Sequence, residues 1–475
     1  MGFSPYSKYN HSGPRYTSYP TALEFNENYT NEDFIRAAAR YPERPLSLYV
    51  HIPFCHKLCY FCGCNKVITR HRHKVEIYLD YLEREIKTRA PLFQNRLVTQ
   101  IHWGGGTPTY LDEDQSARLM QMLRANFDVS DDAEISIEMD PREIELSMLD
   151  HLRAIGFNRL SMGIQDFDKE VQRLVNREQD EEFIFALMKR AKELGFVSTN
   201  VDLIYGLPKQ NVESFMYTLK RVVELNPDRM SVFNYAHLPS RFAAQVKIKE
   251  ELLPAPETKL TILQNSIEFL GKNGYKFIGM DHFAKPDDEL AIAQEKGILH
   301  RNFQGYTTQE ECDLLGMGVS AISLLGDTYA QNRKELQQYY ADVETNGIAL
   351  HKGIALTQDD CIRRDVIKAL ICNFKLDFAT IEKQYGIDFK RYFAEDLAFL
   401  APLAEDELLT MNDDSIVVSP RGRLLIRNIC LCFDVYSRQL ARRQQFFPYY
   451  LMSKRSILVK ILQKQTACSR LIKEK

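Results

Sequence analysis

The residues that could do chemistry concentrate in one stretch, 49–64, which reads YVHIPFCHKLCYFCGC. Cys55, Cys59 and Cys62 stand at x3 and x2 spacing. Three thiolates on one loop can hold three irons of a cubane cluster, which ordinarily takes four cysteine ligands. The fourth iron then keeps an open position. An open iron can chelate the amino and carboxylate groups of S-adenosylmethionine, and a reduced cluster can send an electron into the sulfonium and release a 5′-deoxyadenosyl radical. The alternative is a structural zinc site built from Cys55, Cys59, Cys62 and Cys64. Such sites pair cysteines from two separated turns, and here all four fall together with no second pair nearby.

Other polar residues recur where apolar runs end. Gly104, Gly105, Gly106, Thr107 and Pro108 follow the second run; backbone N–H groups there, with no side chain in the way, can approach a carboxylate or amino group. The string is no Walker loop, because no Gly-Lys-Ser/Thr follows. Glu138 ends the third run, Gln165 follows the fourth, Asp202 lies within the fifth and Ala236 follows the sixth. Arg177 could pair with the carboxylate of a methionyl group, a solvated surface charge being the plainer reading. Tyr49 and His51 alternate on the first run and share one face, toward an interior or toward the cluster; a histidine satisfied in the core is the alternative.

The elements that must position these residues are six short apolar segments at 46–54, 97–103, 133–139, 159–164, 198–204 and 229–235, each followed by a helix-period stretch. Val75, Tyr78, Leu79, Leu82 and Ile86 follow the i, i+3, i+4, i+7 spacing of one helical face. Gly156 and Gly195 sit where helix C-caps belong. This order predicts an α/β fold, a parallel sheet wound as a partial (β/α)6 TIM-like barrel with its site at the strand ends. Beyond residue 240 the alternation loosens into helices around 257–273 and 288–294 and a glycine-rich segment, 316–323. The expected domains are an N-terminal arm over the site, 1–45; the barrel, 46–350; a mostly helical, winged-helix-like C-terminal domain, 356–450, with a hairpin turn at Asn412, Asp413 and Asp414; and a basic tail, 451–475, with seven Lys or Arg against one Glu.

The chain has 475 residues with 45% hydrophobic and 26% charged side chains, the balance of a folded globular protein rather than a disordered one. Its formal charge is −3, so no global positive field gathers polyanions, and nucleic-acid binding is not expected. Residues 356–434 carry 10 Lys plus Arg against 14 Asp plus Glu, which disfavours DNA binding by the C-terminal module. The first residues contain no apolar signal region. The longest quasi-apolar run, 314–326, falls short of the roughly 18 residues a membrane span needs. A cytoplasmic chain without a span is expected, its ten cysteines present as thiols or metal ligands.

Five strings, 13–21 (GPRYTSYPT), 49–64, 104–109, 136–141 and 201–208, closely resemble the oxygen-independent coproporphyrinogen III oxidases, a family of radical S-adenosylmethionine enzymes, and the resemblance runs from about residue 8 to about residue 450. It implies oxidative decarboxylation of two propionates of coproporphyrinogen III to vinyls, giving protoporphyrinogen IX for heme synthesis. The cofactors implied are one 4Fe-4S cluster and two S-adenosylmethionine molecules. It implies that Cys55, Cys59 and Cys62 hold the cluster, that Cys64 serves activity without being a ligand, and that Cys64, Tyr49 and His51 are the candidate catalytic residues. Tyr49, Phe61, Gly105, Gly106, Thr107, Glu138, Gln165, Arg177, Asp202, Ala236 and Ile322 would contact S-adenosylmethionine, and an arm around Arg15 and Tyr16 would close over the site.

The partners expected are the porphyrinogen, a flavodoxin-like or ferredoxin-like reductant and a terminal electron acceptor, with the chain a monomer. The competing family is a heme chaperone that shares the barrel and the three-cysteine loop but follows the loop with an acidic residue and Phe; this chain has Gly63 and Cys64 there. A radical enzyme of the same fold acting on another substrate is the third possibility.

Overall fold

The computed structural model describes residue 9, residues 13–309 and residues 312–444, with side chains to 439. The expected basic tail, 451–475, the end of the expected C-terminal domain at 445–450, and most of 1–12 lie outside the described residues. Two compact units form, one from 25–293 and 309–355, the other from the described parts of 1–24, 294–308 and 356–475. The stretch expected as an arm, 1–45, is thus divided between them. No described helix is long and apolar enough to cross a membrane.

The larger unit is built on a twelve-stranded open sheet. Its strands in chain order are β1 (Leu46–Ile52), β2 (Leu97–Gly105), β3 (Asp128–Met139), β4 (Arg159–Gln165), β5 (Ser198–Tyr205), β6 (Arg229–Asn234), β7 (Lys276–Gly279), β8 (His282–Ala284), β9 (Asp313–Met317), β10 (Ile322–Leu325), β11 (Thr328–Asn332) and β12 (Leu350–Ala355). Their spatial order is β12-β11-β10-β9-β1-β2-β3-β4-β5-β6-β8-β7. The run from β9 through β6 is parallel, and the flanking strands are antiparallel. The six expected barrel strands are present and contiguous. The glycine-rich segment, 316–323, supplies the end of β9, the start of β10 and the bend between them. There a Cβ on Gly316 would fall 2.4 Å from the Ile322 carbonyl oxygen, and Gly318 has φ of +91°, so glycine is what lets this crossing strand pair close.

Strand parity decides which residues meet. Along β4 Leu160, Met162 and Ile164 are buried under the helices while Arg159, Ser161, Gly163 and Gln165 take the other face, as the two-residue period requires. The same alternation gives Ser47, Tyr49 and His51 on β1, Glu134, Ser136 and Glu138 on β3, and Asn200 and Asp202 on β5 to the inner face. The outer face is covered by helices such as His73–Arg89, whose Val75, Tyr78, Leu79, Leu82 and Ile86 are buried as their spacing predicts, and Glu113–Asn126, started by an Asp112/Gln115 capping box.

One buried network fixes the β9–β10 bend. Glu85, fully buried on the helix His73–Arg89, accepts from Gly318 N–H at 2.7 Å, Asn332 Nδ2 at 2.8 Å and the Tyr339 hydroxyl at 2.7 Å. It also pairs with Arg89 at 3.2 Å, which donates to the Gly316 carbonyl and to Asn332 Oδ1. The Tyr78 hydroxyl donates to the His51 carbonyl at 2.6 Å and accepts from Val319 N–H.

In the smaller unit the helix Gln358–Asn373 lies with a three-stranded antiparallel sheet, Lys375–Asp377, Leu409–Met411 and Ser415–Val418. The hairpin turn falls at the expected residues, Asn412 N–H donating to the Ser415 carbonyl at 2.8 Å. Residues of the N-terminal segment are fastened to this unit: the Tyr16 hydroxyl donates to Asp434 Oδ2 at 3.1 Å and Arg427 Nε donates to the Pro14 carbonyl at 3.1 Å.

Removing Glu85 strands Arg89 in a dry environment, and breaking a buried pair by deleting one partner costs about 3 to 5 kcal/mol. Glu85→Ala should lower the urea midpoint by that equivalent. A loss below about 1 kcal/mol would mean that the network is decorative.

Candidate active site

The cysteine loop is closed by backbone bonds of its own. Phe54–Cys55 pairs in parallel with Val67–Ile68, Val67 N–H donating to the Pro53 carbonyl at 2.7 Å and Thr69 N–H to the Cys55 carbonyl at 3.1 Å. The loop is docked on the turn after the helix Lys169–Leu174: Tyr60 N–H donates to the Val175 carbonyl at 3.0 Å, and Asn176 Nδ2 to the Leu58 carbonyl at 2.7 Å. Lys66 Nζ reaches the carbonyls of Cys62 and Cys64 at 3.1 and 3.3 Å.

Each expected ligand has a distinct setting. Burial pushes the Cys55 thiol up to about 12, and the Thr107 hydroxyl, donating to its sulfur at 3.3 Å, works against that. Cys59 receives two guanidinium donors, Arg142 Nη2 and Arg177 Nη1, each at 3.3 Å. The Cys64 thiol is hydrogen-bonded to Cys62 and brings it down to about 6, while Cys64 itself is driven up. Among the described residues no three His, Cys, Asp or Glu side chains converge on one metal ion; thiols that each serve a separate iron have no need to converge.

The donor set fits a cluster. Reduction adds negative charge, and N–H and O–H donors aimed at the sulfurs, with cations behind them, offset it. Asp140 aligns both cations, 2.6 Å from Arg142 Nη2 and 3.2 Å from Arg177 Nη1. Its carboxyl is desolvated by burial, yet Arg177 and Arg142 bring it down to about 2. Neither arginine was more than 8% exposed by side chain, so Arg177 is not a surface charge.

Around this loop the inner face supplies polar atoms that await a ligand. Gln165 sits at φ of 71°, its Oε1 buried without a hydrogen-bond partner among the described residues, as is Arg177 Nε. Both side chains press on Gly163, where a Cβ would lie 2.8 Å from Gln165 Nε2 and 3.0 Å from Arg177 Nη2. Unpaired buried amide and guanidinium atoms are costly and suit a ligand carrying an amine and a carboxylate. Glu138 is 44% accessible by side chain because it faces the open interior. It accepts from Gly105 N–H at 3.2 Å and contacts His102 Nε2 at 3.3 Å, and burial notwithstanding, these partners hold it below the usual carboxylate range. Asp202 accepts from Asn200 Nδ2 at 2.9 Å, but burial and the Glu138 charge push its carboxyl up to about 6.

The glycine run works differently from the sequence expectation. The N–H of Gly105 is taken by Glu138 and that of Gly106 by the Ile52 carbonyl at 2.8 Å. A Cβ on Gly105 would stand 2.6 Å from the His51 ring, and one on Gly106 would stand 2.6 Å from Pro53. The run provides close approach between β2 and the root of the cysteine loop. Thr107, expected beside S-adenosylmethionine, places its hydroxyl on Cys55.

His51 Nε2 lies 3.0 Å from the Asn65 carbonyl, which can only accept, so Nε2 carries the proton. Nδ1 then accepts from the Tyr49 hydroxyl at 3.1 Å, and burial keeps the ring neutral. Tyr49 also stacks on His102 with centroids 5.9 Å apart. Phe61 joins a small apolar cluster with Val175, Leu207 and Tyr235, next to exposed Ala236, and Ile322 begins β10 opposite Gln331. Sequence reasoning missed Arg142, Asp140 and His102. Asp140 and Arg142 follow the end of β3 immediately, which was the available signal.

The raised Asp202 carboxyl has a pH consequence. Its pKa climbs from about 3.9 in an unfolded chain to about 6. It therefore leaves stability intact below pH 4 and subtracts from it as pH rises through 6. Asp202→Asn should stabilise cofactor-free protein by about 3 kcal/mol at pH 8, with the gain vanishing near pH 4 in urea melts. A gain that stays constant across that range would exclude the charge as its source.

Comparison with known proteins places this geometry. Residues 49–222 match the radical SAM superfamily and residues 356–425 the HemN C-terminal domain. The chain is 71% identical over 439 residues to the oxygen-independent coproporphyrinogen III oxidase of Escherichia coli (strain K12), covering 92% of this chain and 96% of that one. It is 49% identical over 442 residues to the protein so described from Pseudomonas aeruginosa, covering 92% and 96%. A solved structure of coproporphyrinogen III oxidase (HemN) from Escherichia coli, described as a radical SAM enzyme, superposes with a TM-score of 0.88 at 70% identity over 89% of this chain and 97% of that one. The chain therefore belongs to the family of oxygen-independent coproporphyrinogen III oxidases, within the radical SAM superfamily.

Proposed function

We propose that this chain decarboxylates two propionates of coproporphyrinogen III to vinyls in the cytoplasm, as a monomer, with one 4Fe-4S cluster and two S-adenosylmethionine molecules. A flavodoxin-like or ferredoxin-like protein delivers the electrons and a separate acceptor removes one per propionate. The observation that carries this reading is Cys59, a buried thiol of the three-cysteine loop that receives two buried guanidinium donors held by one carboxylate.

When bound, the cluster and S-adenosylmethionine supply a carbon-centred radical able to take hydrogen from the unactivated β carbon of a propionate, which no acid or base can ionise at neutral pH. The chain's own residues bind, orient and exclude water. Cys55, Cys59 and Cys62 hold the cluster. Gln165 and Arg177 offer their unpaired atoms to the amino-acid end of S-adenosylmethionine, Asp202 and Glu138 take donors along the inner face, and Phe61, Ala236 and Ile322 give apolar contact. Gly105 and Gly106 allow the close approach that seats these groups. Tyr49 is held by His51 through its hydroxyl and stacks on His102, which would fix its place beside S-adenosylmethionine, and Cys64 is a thiol beside the cluster rather than a ligand.

The test is anaerobic incubation with coproporphyrinogen III, reductant, S-adenosylmethionine and an electron acceptor, reading CO2, 5′-deoxyadenosine and the porphyrin product. Tight heme binding with none of these products would move the chain to the chaperone reading. Cys62→Ser should lose iron and visible absorption together, whereas Cys64→Ser should keep the cluster and lose product. Equal iron loss in both would make Cys64 a ligand.

Arg142 gives an independent measurement. Replacing it by Gln removes one charged donor from the Cys59 sulfur, and the cluster's midpoint potential should fall by roughly 59 mV, a tenfold change in reduced fraction for one electron. An unchanged potential in an EPR-monitored titration would reduce Arg142 to an anchor for Asp140.

A further inference from the structure

Gln165 adopts a backbone conformation that its residue type does not favour. The pairing of β4 with β5 slips there, passing from Gly163 opposite Asp202 to Gln165 opposite Leu203. Asp166 N–H donates to the Ile164 carbonyl at 2.9 Å, which closes a three-residue turn around Gln165 at φ of 71°. Turns of this hand are rare and strained with a side chain at the centre, and glycine would adopt that backbone freely. The chain keeps a glutamine instead, and its Oε1 is buried without a hydrogen-bond partner among the described residues.

Both neighbours of Gln165 are tied down by buried side chains from other segments of the larger unit. Asp166 is 1% exposed and forms no ion pair among the described residues. Its Oδ1 accepts from Asp168 N–H at 2.7 Å and from the hydroxyl of Thr218, on the helix Val212–Leu225, at 2.6 Å. That hydroxyl also accepts from Phe167 N–H at 3.1 Å. The Asp166 Oδ2 accepts from Gln210 Nε2, in the loop after β5. Gln210 is fixed in turn, because its Oε1 accepts from Leu207 N–H and its Nε2 donates to the Ile204 carbonyl, each at 2.8 Å. The Asp166 carbonyl accepts from Gln172 Nε2 at 2.9 Å. On the other side of the turn, the Ile164 carbonyl accepts from Gln179 Nε2 as well as from Asp166 N–H. A buried carboxylate without a cation is costly, yet the fold retains one beside the strained residue.

We propose that Asp166 is a positioning residue for S-adenosylmethionine: anchored by Thr218 and Gln210, it holds the left-handed turn at Gln165 and so aims the Gln165 amide at the cofactor's amino-acid end. The proposal rests on the reading above in which Gln165 binds S-adenosylmethionine. Backbone strain persists only where the surroundings over-determine it, and here the bonds converge on the two residues that flank the turn. Relaxing Gln165 to extended backbone would redirect its side chain. The Asp166 carboxylate meets the helix Val212–Leu225 and the loop after β5, so its effect on the cofactor passes through Gln165.

The test is a double-mutant cycle read by anaerobic calorimetric titration of the cluster-loaded protein with S-adenosylmethionine. Gln165→Ala and Asp166→Asn should each weaken binding by about tenfold, and the double variant should bind no more weakly than Gln165→Ala alone. The asparagine keeps the shape of the carboxylate but sets an NH2 group against Gln210 Nε2 or Asp168 N–H, whichever way it turns. Thr218→Val should weaken binding by about threefold in the parent and leave Gln165→Ala unchanged, while Thr218→Ser should retain the parent's affinity. In turnover, Asp166→Asn should raise the KM for S-adenosylmethionine and leave that for coproporphyrinogen III unchanged. Iron content and melting temperature check that the variants are folded, and Thr218→Val carries the cycle if Asp166→Asn does not fold. Equal weakening with and without the Gln165 side chain would overturn the positioning role and leave Gln165 as a cofactor ligand. If Gln165→Ala binds S-adenosylmethionine as the parent does, both fall.

Discussion

A barrel interior is ordinarily filled with branched apolar side chains, and this one is lined with Glu138, Asp202, His102, Tyr49 and Arg159. Desolvating such groups is expensive unless each finds a partner, and that constraint shapes the strands around them. Ser136 meets His102 Nδ1 at 2.6 Å, Asn200 bridges Ser161 and Asp202, and Arg159 pairs with Glu134 and Glu289. Among the buried atoms left without a hydrogen bond are Arg177 Nε, on the guanidinium that reaches Cys59, and Gln165 Oε1, on the side chain that meets that guanidinium over Gly163; Arg159 Nε at the other end of β4 is another. A ligand carrying an amine and a carboxylate would satisfy the pair nearest the thiols.

Positive charge near the thiols is concentrated on one sulfur. Arg142 and Arg177 are buried, locked by Asp140 and directed at Cys59; their effect is on the stability of a reduced centre. Low dielectric makes this pair strong and insensitive to salt.

Much of this was legible in the sequence. The six apolar segments became six contiguous strands, and Glu138, Gln165 and Asp202, read at or near the ends of three of them, share one face of the sheet, because strand parity and strand ends are local properties. The helical face at Val75, Tyr78, Leu79, Leu82 and Ile86 was legible for the same reason. What stayed hidden depends on contacts distant along the chain. Asp140 and Arg142 matter only because Cys59, some eighty positions earlier, folds against them. The glycine-rich segment 316–323 fell where the strand–helix alternation loosens and so carried no strand signal, yet its glycines permit backbone crossing at Gly316 and a bond from Gly318 to buried Glu85. The N–H groups of the glycine run could approach a ligand on the sequence alone, and only the fold shows that of Gly106 used by Ile52 on β1 and that of Gly105 by Glu138 on β3.

The short pairing of Phe54–Cys55 with Val67–Ile68 bears on how the centre is assembled. A structural zinc module is unfolded until its metal arrives, so metal binding carries the whole entropy of ordering the loop. Here the ends of the loop are fastened by backbone bonds, and its middle is held by Asn176 and by Val175. None of these bonds uses a thiol, so a Cys→Ser substitution that deletes a ligand removes none of the contacts that set the loop's path.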